Sequence, residues 1–368
     1  MNIFPFQAIF PKLDLVASTD SFFNSMKVQF NEYYNSGFFD KSAQEAFYIY
    51  EIKSPDASYT GVVTCTDIDD LNNNKILKHE KTLASKEQEM MRLILQRKAM
   101  IKPVLLTHPD NDDLNKFVAK IKAGSKPIIN LAFKNKEYHS FWEVKDGSEI
   151  ETLRAIFSDQ IEKSYIADGH HRCSTTAILY NNEELENAKE KFGQILTVFI
   201  PFKQLKIWDY NRVVDVLGQT DLASFLISVS QYCKIKKLKK ARKPKRKFEI
   251  VMYLQNNWFS IRWKQKILKL HKKDKVCLDT DLFNLYVLNK IVGIVDVRED
   301  KRVKYYSGTE PLSVLSDGVD KNQNKIAFCI YPLLKEELII VADTMNTVPP
   351  KSTWFEPRMK NGLINKEI

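Results

Sequence analysis

The stretch SYIADGHHRCSTTAILY, Ser164 to Tyr180, decides how the chain is read. It has a compact apolar entry, a glycine turn, and then a helix whose first residues are polar. A strand that feeds a helix through a glycine gathers free backbone N–H groups and the positive end of the helix dipole at one point, where an anion is welcome. Around Gly169, the residues Asp168, His170, His171 and Arg172 put one carboxylate, two imidazoles and a guanidinium within five positions. Arg172 can grip a phosphate bidentately, Gly169 lets the backbone approach it, and Ser174, Thr175 and Thr176 offer hydroxyls and first-turn N–H groups. In the bland alternative Asp168 caps the helix and the histidines satisfy core hydrogen bonds. A metal reading would use Asp168 with His170 or His171, but no HxxxH or HxH pair completes it.

Working outward, AFYIYEI (46–52) and TGVVTCTDI (60–68) flank a turn at Pro55 and Asp56 and predict a hairpin. The opening NIFPFQAIFPK reads as a short strand, and Ser21 to Tyr34 has helical spacing. From Ser85 the pattern predicts an N-capped amphipathic helix. PVLLTH, PIINLAF, YHSFWEV and GQILTVFIPF predict strands, and Asp113 to Ala123 and Glu149 to Ile161 predict helices. Asp215 to Tyr232 reads as mostly helical. FEIVMYL and WFSIRW follow as strands, with KILKL as a candidate third. Leu278 to Val292 is helical, RVKYYSG and KIAFCIYPL are strands, and EELIIVADTM is a helix. Strands and helices without regular alternation predict an α+β fold, with an N-terminal portion over 1–203 and a C-terminal portion over 204–368.

The 368 residues are 44% hydrophobic and 28% charged, with 22 Phe and 15 Tyr against 11 Gly and 13 Pro, which excludes a disordered or fibrous chain. No run approaches the length of a membrane span, and Met1 to Leu15 lacks a leader pattern. The expected location is the cytoplasm, with no membrane partner. The five cysteines are too far apart for a disulfide framework or zinc pattern and read as reduced apolar residues. The net charge is +10, and Lys234 to Lys247 holds ten basic residues and no acid, so the rest balances at 46 against 46. A solvated loop is the expected reading, with phosphate contacts to nucleic acid as the alternative. GxxxxGK[ST] and GxGxxG are absent, which removes P-loop and ordinary Rossmann readings.

Two further segments carry chemistry. In KHEKT, Lys78 to Thr82, Glu80 beside His79 is a candidate base for a substrate hydroxyl. In PPKST, Pro349 to Thr353, a rigid turn presents Lys351, Ser352 and Thr353, with Arg358 following. These could close over a phosphate, or the tail could be a clasp anchored by Trp354 and Phe355.

YIADGHHR, KHEKT with Lys86 and Glu87, PPKST and Gly362-Leu363 together resemble the motifs of the DUF1015 family, in order and spacing over nearly the whole chain. The resemblance implies a fold similar to the ParB/sulfiredoxin-like one, related to free-serine kinases. It also implies ATP or ADP with Mg²⁺ as cofactors, Asp168 as a candidate Mg²⁺ ligand, and phosphoryl transfer to a small hydroxylated metabolite, serine first. Glu80, His170, His171 and Asp168 would be catalytic. Gly169, Arg172, Ser174, Thr175, Thr176, His79, Lys351, Ser352 and Thr353 would hold the nucleotide. The rival is a non-catalytic module that responds to nucleotide or nucleic acid. Two departures stand out: VASTD (16–20) replaces a Pro-Pro-Tyr-Asp run, and Cys173 follows the arginine where an aromatic is usual.

Overall fold

The central hairpin forms where the aromatic and β-branched runs predict it: β4 (Phe47–Ser54) pairs with β5 (Ala57–Asp67), Tyr50 standing opposite Gly61. Gly61 has a packing reason, because a Cβ there would collide with the carbonyl of Phe199 on the neighbouring strand. The structure, a computed structural model, describes every residue except Gln219 and Asp274. Its chain divides into two units, Met1–Leu205 with Pro357–Ile368, and Lys206–Glu356. Pro357–Ile368, counted with the C-terminal portion in the sequence reading, thus belongs to the first unit.

Before the hairpin, unit 1 runs β1 (Ile3–Phe4), β2 (Ile9–Pro11), α1 (Thr19–Asn35) and β3 (Phe39–Lys41). After it come α2 (Asp69–Asn72), β6 (Ile76–Leu77), α3 (Ala84–Arg97), β7 (Ala99–Met100), β8 (Val104–His108) and α4 (Asp112–Gly124). The unit continues with β9 (Ile129–Ala132), β10 (Tyr138–Val144), α5 (Gly147–Gln160), β11 (Ser164–Asp168), α6 (His170–Tyr180), α7 (Ala188–Phe192) and β12 (Gln194–Pro201). The opening segment is therefore two short strands, where the sequence predicts one.

A nine-stranded mixed sheet is ordered β6-β11-β8-β12-β5-β4-β10-β9, with β1 added to β5. The strand β12 runs parallel to β8, and β11 runs parallel to β6 but antiparallel to β8. The core includes Phe47, Ile49, Val62, Leu106, Phe141, Phe157 and Phe199, all fully buried; each such aromatic or aliphatic side chain contributes roughly 1.5–3 kcal/mol. Asn111 caps α4 and Asp146 caps α5 through side-chain oxygens, as short polar residues at helix starts do. The expected side-chain cap on α3 is absent: Leu83 occupies the cap position.

Unit 2 comprises β13 (Lys206–Trp208), β14 (Tyr210–Asp215), α8 (Leu222–Tyr232), β15 (Cys233–Lys237), β16 (Glu249–Leu254), β17 (Asn257–Trp263), α9 (Gln265–Leu270) and α10 (Asp279–Leu282). A π-helical turn, Phe283–Asn289, leads to β18 (Val303–Ser307), α11 (Leu312–Asp320), β19 (Lys325–Cys329), α12 (Lys335–Asp343) and β20 (Trp354–Glu356). The last strand, β21 (Lys366–Glu367), belongs to unit 1 and pairs with β7. Six strands form an antiparallel sheet ordered β15-β17-β16-β19-β14-β18. One face buries Phe225, Val229, Met252, Phe283 and Phe328, and the other packs Val213, Val251 and Ala327 with Leu315 and Val319 of α11.

Three expectations are corrected in this unit. KILKL is helical, because only Ile267 of α9 is buried and its polar neighbours face solvent. The helix expected from Asp215 starts at Leu222, since Asp215 ends β14 and the Asp221 side chain caps the helix start. The basic run is not one solvated loop. Lys234–Lys237 completes edge strand β15 against β17, and its second half is pinned to the unit. Arg242 Nη2 donates to Glu249 at 2.5 Å, the Lys245 N–H donates to the same carboxylate at 2.8 Å, and Lys247 pairs with Glu337. Lys243 donates to the Gly308 carbonyl and stands 5.1 Å from the Trp208 ring centre.

No described helix is long and apolar enough to cross a membrane. The five cysteines are free thiols, four of them buried.

Candidate functional site

The strand β11 delivers Asp168 to the edge of a polar cluster, and a register shift between Ile166 and Asp168 leaves Asp168 opposite Leu105 of β8 just before the turn. Gly169 takes φ 114°, a conformation that disfavours side chains. A Cβ there would also lie 2.8 Å from Arg172 Nη2. Helix α6 begins at once, with its N-terminal N–H groups at the turn.

Asp168 is the hub. Its Oδ2 accepts from Lys102 Nζ at 3.2 Å and from Arg172 Nη2 at 2.8 Å, and its Oδ1 accepts from Arg358 Nη1 at 2.6 Å. Burial would raise the carboxyl, but Lys102, Arg172 and Arg358 outweigh it and hold it well below the usual carboxylate range. Three cations share one carboxylate, so the cluster carries a surplus of positive charge. Burial lowers the Lys102 ammonium, with Asp168 opposing.

Arg172 is not the open phosphate fork the sequence suggests. Its Nη1 donates to the carbonyls of Lys102 and Pro103 at 2.8 and 2.6 Å, and its Nη2 is taken by Asp168. It ties the turn to the start of β8, and Lys102 and Arg358 carry the more adaptable charges. Sequence reasoning missed Lys102, which belongs to no motif. Its only signal is its place before Pro103, which favours extended backbone leading into a strand.

KHEKT joins this cluster. The rings of His79 and His170 meet edge to face at 4.5 Å, and the His79 N–H points at His170 Nε2 at 3.5 Å. Glu80 Oε2 lies 3.8 Å from His170 Nδ1. Burial lowers His170 to about 4, against the pull of Asp168, and pushes His79 well down. Burial therefore favours the neutral ring of His170 at pH 7, so among the residues the resemblance implies as catalytic it would not act as a cation. Its accepting Nε2 leaves the ring proton on Nδ1, facing Glu80.

The hydroxyls of α6 turn inward. Ser174 donates to Glu87 of α3, whose carboxyl is lowered by that bond and by Thr82. Thr175 donates to the Glu87 carbonyl at 3.4 Å and Thr176 to the Arg172 carbonyl at 2.8 Å, both side chains being buried. These three brace α6 and are not presented as phosphate ligands. His171 is half-buried and lowers Glu87 from nearby. Cys173 is buried and its thiol is pushed up to about 12, as expected of an inert residue.

Lys351, Ser352 and Thr353 belong to unit 2. Lys351 has φ 56°, its carbonyl accepts from the fully buried Arg212 at 3.4 Å, and its ammonium stands over the Tyr210 ring. The Ser352 hydroxyl donates to the Pro349 carbonyl at 2.6 Å, which closes the turn. Thr353 is half-buried ahead of β20.

The arrangement suits an anion better than a metal. Both oxygens of Asp168 already accept from cations, and among the described residues no three His, Cys, Asp or Glu side chains converge as a metal site would need. Asp168 therefore does not fit the role of Mg²⁺ ligand. Lys102 and Arg358, with the α6 N-terminus, do fit phosphate oxygens.

A model of the family described as protein of unknown function DUF1015 matches residues 6–283. The chain belongs to the DUF1015 family. No curated protein matches the sequence. Among solved structures, the chain is similar to SbnI with a C-terminal truncation from Staphylococcus aureus, at 14% identity and TM-score 0.43, over 81% of this chain and 85% of that one. A free serine kinase variant in complex with ADP is similar at 12% identity and TM-score 0.40, over 82% of this DUF1015 chain and 91% of the kinase. A conserved hypothetical protein from Pyrococcus furiosus is similar at 13% identity and TM-score 0.36, over 82% and 94%.

Proposed function

We propose that unit 1 binds a nucleotide at the β11–α6 turn and transfers a phosphoryl group to a small hydroxylated metabolite. The observation that carries this reading is the convergence of Lys102, Arg172 and Arg358 on the single carboxylate of Asp168, beside a Glu80–His170 pair. A cluster with surplus positive charge at a helix N-terminus is matched by the phosphates of ATP or ADP. Lys102 and Arg358 hold phosphate oxygens, while Arg172 and Asp168 keep the turn in shape. Glu80 takes the proton of the acceptor hydroxyl, and the Nδ1–H of neutral His170 orients the carboxylate. The hydroxyl oxygen then bonds to the terminal phosphorus as the bond to the bridging oxygen breaks, and the shortened nucleotide leaves with that electron pair. No step is assigned to Mg²⁺, since Asp168 does not fit it.

The test is incubation with ATP or ADP and a pool of hydroxylated metabolites, serine first, read by mass spectrometry. A phosphorylated product that requires nucleotide and disappears in Glu80→Gln is expected. Nucleotide-induced stabilisation without product in any arm would favour a binding module, and no response to nucleotide would overturn the reading.

A further inference from the structure

The charge of the molecule is divided unevenly. Unit 1 carries 28 Lys and Arg against 29 Asp and Glu, whereas unit 2 carries 28 against 17. Within unit 2, residues 233–275 hold 17 basic residues and two acids, Glu249 and Asp274. Glu249 is buried and already engaged by Arg242, Ser260 and the Lys245 N–H. Lys234, Lys236, Lys237, Lys239, Lys240 and Arg262 are exposed and enter no ion pair among the described residues.

Lysines on an edge strand deter unwanted strand pairing, which accounts for one or two of these on β15. It does not account for Arg262, which lies on the interior strand β17 directly opposite Lys234. Lys234, Lys236 and Arg262 share a sheet face, since side chains alternate and register partners point the same way. Lys234 and Lys236 are about 6.7 Å apart along the strand, and Arg262 is about 4.8 Å across from Lys234. One strand of a nucleic-acid duplex rises ~3.4 Å of axis per phosphate, and its winding about the axis spreads successive phosphates further apart, so the Lys234–Lys236 spacing suits neighbouring phosphates. No aromatic side chain between residues 233 and 275 is exposed among the described residues. The half-exposed Trp258 and Phe259 on β17 are not open faces for stacking successive single-stranded bases, so the charge, more than stacking, defines this surface.

We propose that the β15 edge of unit 2 docks the phosphate backbone of a nucleic-acid duplex without reading its sequence. The site is separate from the Asp168 cluster of unit 1 and stands whether or not that cluster transfers phosphate.

The test is fluorescence anisotropy of the full chain with a labelled duplex of about 20 base pairs, titrated from about 50 to about 200 mM salt. Binding is expected to weaken with salt, and the triple variant K234Q/K236Q/R262Q to flatten the log–log slope by about 2.7, at roughly 0.9 per lost phosphate contact. A control that removes as many exposed charges from unit 1, K27Q/K126Q/K134Q, is expected to leave the slope unchanged. Circular dichroism verifies that both variants are folded; should the triple variant unfold, K239Q/K240Q replaces it with an expected loss of about 1.8. No binding at the lowest salt, equal flattening by the control, tighter binding of a single strand of equal length, or binding only to phosphatidylserine vesicles would each overturn the proposal.

Discussion

Asp168→Asn removes the counter-charge from three cations at once. Oδ1 serves Arg358 while Oδ2 serves both Lys102 and Arg172, so whichever oxygen becomes the amide nitrogen, a donor faces a donor. Removing one partner of a buried pair costs about 3–5 kcal/mol. The side chains here retain 16–35% exposure, which places the expectation near the lower end, about 3 kcal/mol. For a unit of this size that is a fall of about 6–12 °C in the melting midpoint. A carboxyl held low contributes stability that is fully present above its unfolded value, about 3.9, and is lost only as pH falls through its lower folded value. The gap between wild type and variant is thus expected to be flat from pH 8 to 5. Scanning calorimetry with and without added phosphate measures both parts, and phosphate is expected to stabilise the variant more than the wild type because it replaces the missing charge. A shift below about 2 °C, or equal phosphate effects in the two proteins, would refute the view of Asp168 as the hub of a cation cluster.

Arg358→Gln is expected to weaken nucleotide binding by about 1.5–3 kcal/mol, as loss of a charged hydrogen bond does, with little change in melting. Arg172→Ala is expected to do the reverse and lower stability first, because its guanidinium ties two carbonyls of the β8 approach; isothermal calorimetry and melts of the pair distinguish them. Gly169→Ala is expected to cost about 1–3 kcal/mol from the disfavoured φ alone, measured by urea titration. His108 and His170 are both lowered to about 4 by burial. An unfolded histidine binds a proton below about 6.5, so stability is full above that value and is expected to fall as pH drops toward 4, by up to about 1.4 kcal/mol per pH unit for each histidine. Equilibrium unfolding at stepped pH reads this, and a flat profile between pH 7 and 5 would contradict it.

The parts of the fold legible in the sequence are those set by local pattern. The aromatic and β-branched runs of β4 and β5 and the strand–glycine–helix passage at Gly169 needed no distant partner to be recognised, and the family motifs located the His79–Glu80 segment. Lys102 was illegible because its role comes from a carboxylate 66 positions away, and Arg172 was misread because two main-chain carbonyls claim it. Thr175 and Thr176 read as ligands since a hydroxyl at a helix start looks the same whether it faces solvent or a neighbouring helix. KILKL misled for a similar reason, as a short apolar run has no period of its own. The basic run looked like a loop because its charge hid the strand alternation in Cys233, Ile235 and their lysine neighbours.

The bonds from Arg172 to the carbonyls of Lys102 and Pro103 have a consequence for altering this turn. Main-chain carbonyls are the same whatever side chain they carry, so the anchoring of Arg172 does not depend on the ammonium of Lys102. The charge of the cluster can therefore be tuned at position 102, or at 358 on the returning tail, while the frame built by Arg172, Gly169 and Asp168 stays in place. Shape and charge are set by different residues, so under the proposed phosphate-binding role a single substitution would change the valence of the anion the turn takes without rebuilding its frame.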